Sequence, residues 1–301
     1  MGRKTHQATL QLRGRLATGV LRLMALLPFQ MNRVVGRLIG LLLWQLNGTS
    51  RSVTEINLKR CLPELSTEQR DLLARQSLIE TGKGMAELGW VWHHPEQALA
   101  LTNGGNSEFD TALRSGAPVI VLAPHLGCWE VLNFWLAKQA PMHAMFLPSG
   151  VQRLDNLVRN SREKIGSTMH PATARGVATL VRALKKGHSL TAILPDQVAD
   201  RRGGRFADFY KQPAWTGTLS TKLIQQTGAQ VFMAFAKRLT DASGYQVIMQ
   251  PADKDIYSKD IDTSLAALNR AIESLIAEAP TQYLWSYKRF RRAPEGQIKP
   301  Y

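Results

Sequence analysis

Cysteine is scarce: Cys61 and Cys128 are the chain's two thiols in 301 residues. Such a pair, far apart and in unlike surroundings, excludes a disulfide framework and a thiolate zinc site, and makes a reducing cytoplasmic face the default. Long apolar runs are missing too. The longest uncharged stretches near the start, Leu23 to Asn32 and Leu38 to Leu46, fall short of the ~18 residues expected of a spanning helix. No small-residue cleavage site follows them, so the sequence predicts no secretory signal peptide. Internal repeats, low-complexity tracts and long linkers are also absent. Acidic residues are missing from the first 54 positions, which hold Arg3, Lys4, Arg13, Arg15, Arg22, Arg33, Arg37 and Arg51.

What is present narrows the class. Hydrophobic content of 44% with 20% charged residues excludes a largely disordered chain. A net charge of +15 and a pI near 10.2 call for an anionic partner: nucleic acid, an anionic membrane, or a phosphorylated or acidic substrate. Near the start the basic residues alternate with Leu, Val, Met and Trp, a mixture that suits a membrane surface. Residues 8–46 read as two basic amphipathic helices split near Pro28 and lying in the interface, with Arg22, Arg33 and Arg37 costly at a bilayer centre unless they snorkel. The predicted division is 1–50 for these helices and 51–301 for the remainder.

Beyond them, helices and short apolar runs alternate. Residues 51–116 read as mostly helical, with Ser66 and Gln69 spaced as a capping box. Strands are expected at Pro118–Ala123, Ala144–Leu147, Ser189–Leu194, Gln230–Arg238 and Tyr245–Gln250. Helices are expected at Gly127–Trp135, Asp155–Gly166, Gly176–Gly187, Thr216–Gly228 and Ile261–Ala277. This pattern predicts an α/β fold with a mostly parallel central sheet flanked by helices. Thr81-Gly82-Lys83-Gly84 lacks the preceding strand and the spacing of a phosphate loop. The Arg-Gly-Gly-Arg piece at 202–205 is a single copy, weak as an RNA-binding signal.

The densest chemistry lies in PVIVLAPHLGCWEVLNFWL, residues 118–136. A buried strand ends at Pro124, leaving His125 in the turn at a strand's carboxyl end, where α/β sheets gather their sites. Glu130 follows five positions later. On one helix that spacing would separate the two side chains by roughly 140°. With His125 just before a helix and Glu130 in its first turn, both can face one crevice, and the carboxylate can hold the imidazole in one tautomer. Asp196 ends the Ser189–Leu194 strand in the same way. Arg159 and Arg162 share a helix face. Cys128 beside His125 is a competing nucleophile by residue type, without a supporting motif.

PHLGCWE resembles the HxxxxE block of the late (lauroyl/myristoyl) acyltransferases of lipid A biosynthesis, a branch of the lysophospholipid acyltransferase superfamily. RNSREKIG, PDQ with the stretch RRGGRFADFYKQPAWTG, and the end APTQYLWSYKRFRRAPEG resemble further parts of it, so the likeness runs over nearly the whole chain. The resemblance implies that His125 is the base that deprotonates an acceptor hydroxyl and that Glu130 is its partner. It implies substrate contacts at Arg162, with Arg159 as the second choice, and at Asp196, Gln197 and Gly127, whose region would supply oxyanion donors. The implied reaction moves an acyl chain from a thioester, that of acyl carrier protein or of coenzyme A, to a hydroxyl of an anionic lipid A precursor. It implies no metal and no other cofactor. The expected partners are acyl carrier protein, the glycolipid and inner-membrane lipid at the cytoplasmic face, not nucleic acid. Within enzymes the alternative is an acyl-CoA-dependent acyltransferase on another glycolipid or a lysophospholipid. Outside them stand a basic nucleic-acid-binding protein and a membrane-bound scaffold. The reading requires an imidazole and a carboxylate that converge beside a slot long enough for a fatty chain.

Overall fold

A short run in which every side chain is buried sets the architecture. The computed structural model describes residues 2–301, with side chains from Gly14 onward. Its first half runs α1 (Gly2–Leu26), α2 (Phe29–Gln45), α3 (Thr49–Cys61), α4 (Thr67–His93), α5 (Pro95–Ala100), β1 (Thr102–Gly104), α6 (Ser107–Arg114), β2 (Val119–Leu122), α7 (Trp129–Gln139) and β3 (Met142–Phe146). There follow α8 (Gln152–Ile165), β4 (Ser167–Pro171), α9 (Ala174–Lys185), β5 (Leu190–Ile193), β6 (Gly204–Phe209), β7 (Gln212–Gly217), α10 (Leu219–Thr227), β8 (Gln230–Arg238), β9 (Tyr245–Pro251) and α11 (Ile261–Glu278).

Strand β2 has no exposed residue, as a central parallel strand covered on both faces must. Its side chains alternate between two cores. Val119 and Val121 join Trp90, Phe109, Leu132 and Phe134 on one face, while Ile120 and Leu122 join Leu180, Leu223, Leu268 and Trp285 on the other. The sheet order is β1-β9-β8-β2-β5-β3-β4. β8, β2, β5, β3 and β4 run parallel, and β9 runs antiparallel to β8. The mostly parallel α/β sheet is thus the one expected. Strand β4 and the antiparallel β6–β7 hairpin are additions to the expected elements, and α10 starts later than expected because Thr216 and Gly217 end β7.

The Ser66–Gln69 capping box is present at the start of α4. That helix is the platform for α2. Glycines 36 and 40 meet Gly82 so closely that a Cβ on Gly82 would lie 2.3 Å from the Gly36 carbonyl oxygen. One side of α2 (Phe29, Asn32, Arg33, Gly36, Gly40) is therefore buried, and Phe29 stacks at 4.9 Å on Trp90 of α4. Arg33, expected at a membrane surface, instead lies inside the fold, 3.5 Å from Glu87. The opposite side of α2 exposes Met31, Val34, Leu38 and Leu42, and α1 exposes Leu16, Val20, Leu23 and Leu26. Among the described residues no helix is long and apolar enough to cross a membrane.

Candidate active site

Strand pairing decides what meets His125. Leu122 at the end of β2 is the partner of Ile193 at the end of β5. Three residues beyond each lie His125 and Asp196, so the two side chains emerge side by side at the carboxyl edge of the sheet. Asp196 Oδ1 is 2.8 Å from His125 Nδ1, and Oδ2 accepts the His125 main-chain N–H at 2.9 Å. One carboxylate thereby fixes both the ring and the backbone of the turn. Asp196 is buried. Burial alone would lift its carboxyl, but the His125 ring, its two hydrogen bonds and Arg289 hold it below the usual carboxylate range. With Nδ1–H donated to Asp196, Nε2 keeps its lone pair. Gln197, exposed at the start of the following loop, brings its amide nitrogen to 3.0 Å from that atom.

Glu130 does not occupy the place expected of it. It sits in the first turn of α7 and is buried, with both oxygens taken by Arg162 of α8: Oε2 accepts from Nε at 3.0 Å and Oε1 from Nη2 at 2.6 Å. Burial opposes the Arg162 cation, but Glu130 outweighs it and raises the guanidinium's pKa. The residue that orients His125 is therefore Asp196, and the fork of Arg162 grips a protein carboxylate rather than projecting toward a ligand. Arg159 turns elsewhere, over the Phe146 ring at 5.6 Å. It lines a separate hollow of about 380 Å³ with Pro148, Gln152 and Asp155.

Gly127 is a structural necessity of the turn. Its φ is +61°, and a Cβ would lie 2.1 Å from the Ala236 carbonyl oxygen of β8. Its N–H donates to Gln282, and the Cys128 N–H donates to Ala236 at 2.8 Å. These two amides are thus spent on the fold and are not available as the expected oxyanion donors. The Cys128 side chain is buried, and burial pushes its thiol well above its ordinary pKa. A thiolate nucleophile is ruled out there.

Three contributors are not among the site residues expected from the sequence, although the third lies in the closing stretch APTQYLWSYKRFRRAPEG that carries part of the family resemblance. Arg238, at the end of β8, donates from Nη2 to the Gly127 carbonyl at 2.9 Å and from Nε to Glu87 at 2.7 Å. The Tyr245 hydroxyl donates to the other Glu87 oxygen at 2.9 Å. The segment after α11 closes the turn from its other side, with the Leu284 N–H donating to the His125 carbonyl at 3.0 Å. The same segment holds the Asp196 loop: the Tyr287 hydroxyl accepts the Val198 N–H at 2.9 Å. The burial of Arg238, and the two loops that the closing stretch reaches, depend on contacts between distant parts of the chain.

The His125 ring borders a cavity of about 80 Å³ lined also by Glu80, Met85, Leu88, Trp129, Arg238 and Leu284. That volume admits roughly three water-sized groups. It accommodates reacting atoms and not the fatty chain for which a slot was expected. Among the described residues no group of three or more His, Cys, Asp or Glu side chains could hold a metal ion. The site is thus an imidazole oriented by a buried carboxylate, beside a small, partly apolar cavity at the strand ends.

Comparison with known proteins gives the family. The model for bacterial lipid A biosynthesis acyltransferases matches residues 2–292. The chain belongs to this family and is an acyltransferase. It is 27% identical over 286 residues to the lipid A biosynthesis palmitoleoyltransferase of Escherichia coli, covering 94% of this chain and 92% of that protein. The lauroyltransferase of the same organism is 26% identical, with 93% and 92% covered, and its myristoyltransferase is 25% identical, with 89% and 82% covered.

Proposed function

We propose that this protein transfers a fatty acyl group from the thioester of acyl carrier protein to a hydroxyl of a lipid A precursor, with His125 as general base and Asp196 as the residue that orients it. The observation that carries the reading is the 2.8 Å contact between His125 Nδ1 and Asp196, which leaves Nε2, on a ring that borders the cavity, as the nitrogen to take a proton. Gln197 swings off Nε2, and the acceptor hydroxyl takes its place. As the hydroxyl oxygen attacks the thioester carbonyl, its proton passes to Nε2, and the buried Asp196 carboxylate stabilises the imidazolium. Collapse of the tetrahedral intermediate breaks the C–S bond. The proton returns from Nε2 to the departing sulfur, leaving ester and free thiol. No acyl-enzyme is required, because the thioester arrives activated.

The exposed apolar sides of α1 and α2, with Arg15, Arg22 and Arg37 exposed along the same two helices, support seating in the interface of the inner membrane's cytoplasmic leaflet. The acyl chains would then leave the small cavity past the exposed Met85 toward lipid. A net charge of +15 favours encounter with an acidic carrier protein and an anionic acceptor alike.

The test is mass spectrometry of products from purified full-length protein given acyl carrier protein and coenzyme A thioesters with lipid A precursors and lysophospholipids. An acylated precursor formed with the carrier-protein donor and lost in His125→Ala is the expected result. Acylation of lysophospholipids alone, or with acyl-CoA alone, would replace this acceptor or donor.

A further inference from the structure

The cavity beside His125 has a polar wall that the base chemistry does not use. Glu80, on α4, has one carboxylate oxygen fixed by Lys83 Nζ at 2.6 Å. Its other oxygen, Oε2, is buried and has no hydrogen-bond partner. Opposite stands Arg238, itself buried, with Nε and Nη2 committed to Glu87 and the Gly127 carbonyl. Among the described residues no hydrogen bond reaches its Nη1, which lies 3.9 Å from Glu80 Oε2. Gly84 keeps the space beside this guanidinium open, since a Cβ there would come within 3.0 Å of Nη2. Both Glu80 and Arg238 line the cavity that His125 lines.

A buried, unpaired carboxylate oxygen such as Glu80 Oε2 is uncommon and calls for a partner. The separation is too long for a direct hydrogen bond, but one oxygen can sit about 2.8 Å from each atom. The chemistry of that oxygen is restricted. An anion would face the Glu80 carboxylate, and a cation would face Arg238. A secondary amide presents donor and acceptor on opposite sides. A neutral group that donates and accepts through one atom satisfies both, and among substrate groups that is a hydroxyl.

Resting on the acyl-transfer reading above, we propose that Glu80 and Arg238 form a clamp for a second, non-reacting hydroxyl of the acceptor, which sets which neighbouring hydroxyl reaches His125. The hydroxyl donates to Glu80 Oε2 and accepts from Arg238 Nη1. Because Arg238 also holds the Gly127 carbonyl, the clamp and the turn that carries His125 are built on one guanidinium.

The experiment measures equilibrium binding of a lipid A precursor, and of analogues each lacking one hydroxyl, to the full-length protein in detergent, together with turnover in His125→Ala. Wild type should bind one analogue, missing a hydroxyl other than the acylated one, about 10–100-fold more weakly than the parent, the size expected of a hydrogen bond to a charged group. Glu80→Ala should weaken the parent by a similar factor and bind that analogue no worse than the parent. Glu80→Gln, which retains the side chain's size and an acceptor oxygen, should recover part of the discrimination and serves if the alanine variant does not fold. Equal binding of every analogue by wild type, or the same discrimination in Glu80→Ala, would mean that the pair holds only a water molecule and would overturn the clamp. Full turnover in His125→Ala would instead overturn the acyl-transfer reading, whatever the binding results.

Discussion

Two buried carboxylates flank the same turn and lead opposite lives. Asp196 touches an imidazole that borders a cavity and whose far nitrogen meets the exposed Gln197. Glu130 is closed off by a bidentate guanidinium, both of its oxygens engaged. In the first pair the far ring nitrogen meets only the exposed Gln197 amide, so its lone pair can take a proton once that amide leaves. In the second, each carboxylate oxygen already accepts from Arg162, a pairing that ties the start of α7 to α8. Proximity of a carboxylate to a histidine in the chain is thus a poor guide to partnership. Here the acid that meets the imidazole follows a strand hydrogen-bonded to the strand before the histidine.

Substitutions separate the two pairs. The largest effect is expected for His125→Ala, which should lower acyl transfer per folded molecule by about 10²–10⁴-fold, the contribution of a positioned general base. Next, Asp196→Asn should cost on the order of 10²-fold in kcat, because the imidazole loses the acceptor that sets its tautomer. Glu130→Ala should act on the fold. It strands the Arg162 cation and should remove about 3–5 kcal/mol in urea denaturation, while kcat per folded molecule stays within about tenfold of wild type. A Glu130→Gln variant as slow as Asp196→Asn but as stable as wild type would collapse the distinction.

Acid sharpens it further. The folded-state pKa of Asp196 is lowered, so its contribution to stability is complete above the unfolded value of about 3.9 and is lost as pH falls through the folded value. The stability gap between wild type and Asp196→Asn, measured by chemical denaturation, should therefore be constant near neutrality and shrink below about pH 4. The smallest effect belongs to Cys128→Ala. Its thiol is buried and protonated, so activity should stay within about twofold and the wild type should resist thiol alkylation while folded.

Much of this site could be read from local pattern. The run Val119–Leu122 announces a buried strand, Pro124 its end, and His125 the corner, because those signals are contained within a few residues. The pairing of β2 with β5 is not so contained. It joins positions 71 apart, and nothing in the periodicity of either strand names its neighbour, so Glu130 looked the nearer acid. The β6–β7 hairpin was obscure for a different reason. Its two-residue turn is Tyr210-Lys211, both at positive φ, where Asn-Gly or Asp-Gly is the usual signal. β4 is a short edge strand that ends in Pro171, which weakens its strand signature. Arg238 read as the last residue of a strand, and its burial depends on Glu87, contributed by a distant helix.

The contacts of the His125 turn also impose an order on synthesis. Its carbonyl and the Gly127 amide are held by Leu284 and Gln282, and the Asp196 loop leans on Tyr287. The exposed apolar helices α1 and α2 precede every strand of the sheet, and the latch that completes the turn follows every one of them. Until Gln282 to Tyr287 have been made, the His125 turn lacks two of its bonds and the Asp196 loop one, so the site is completed only after every strand of the sheet has emerged.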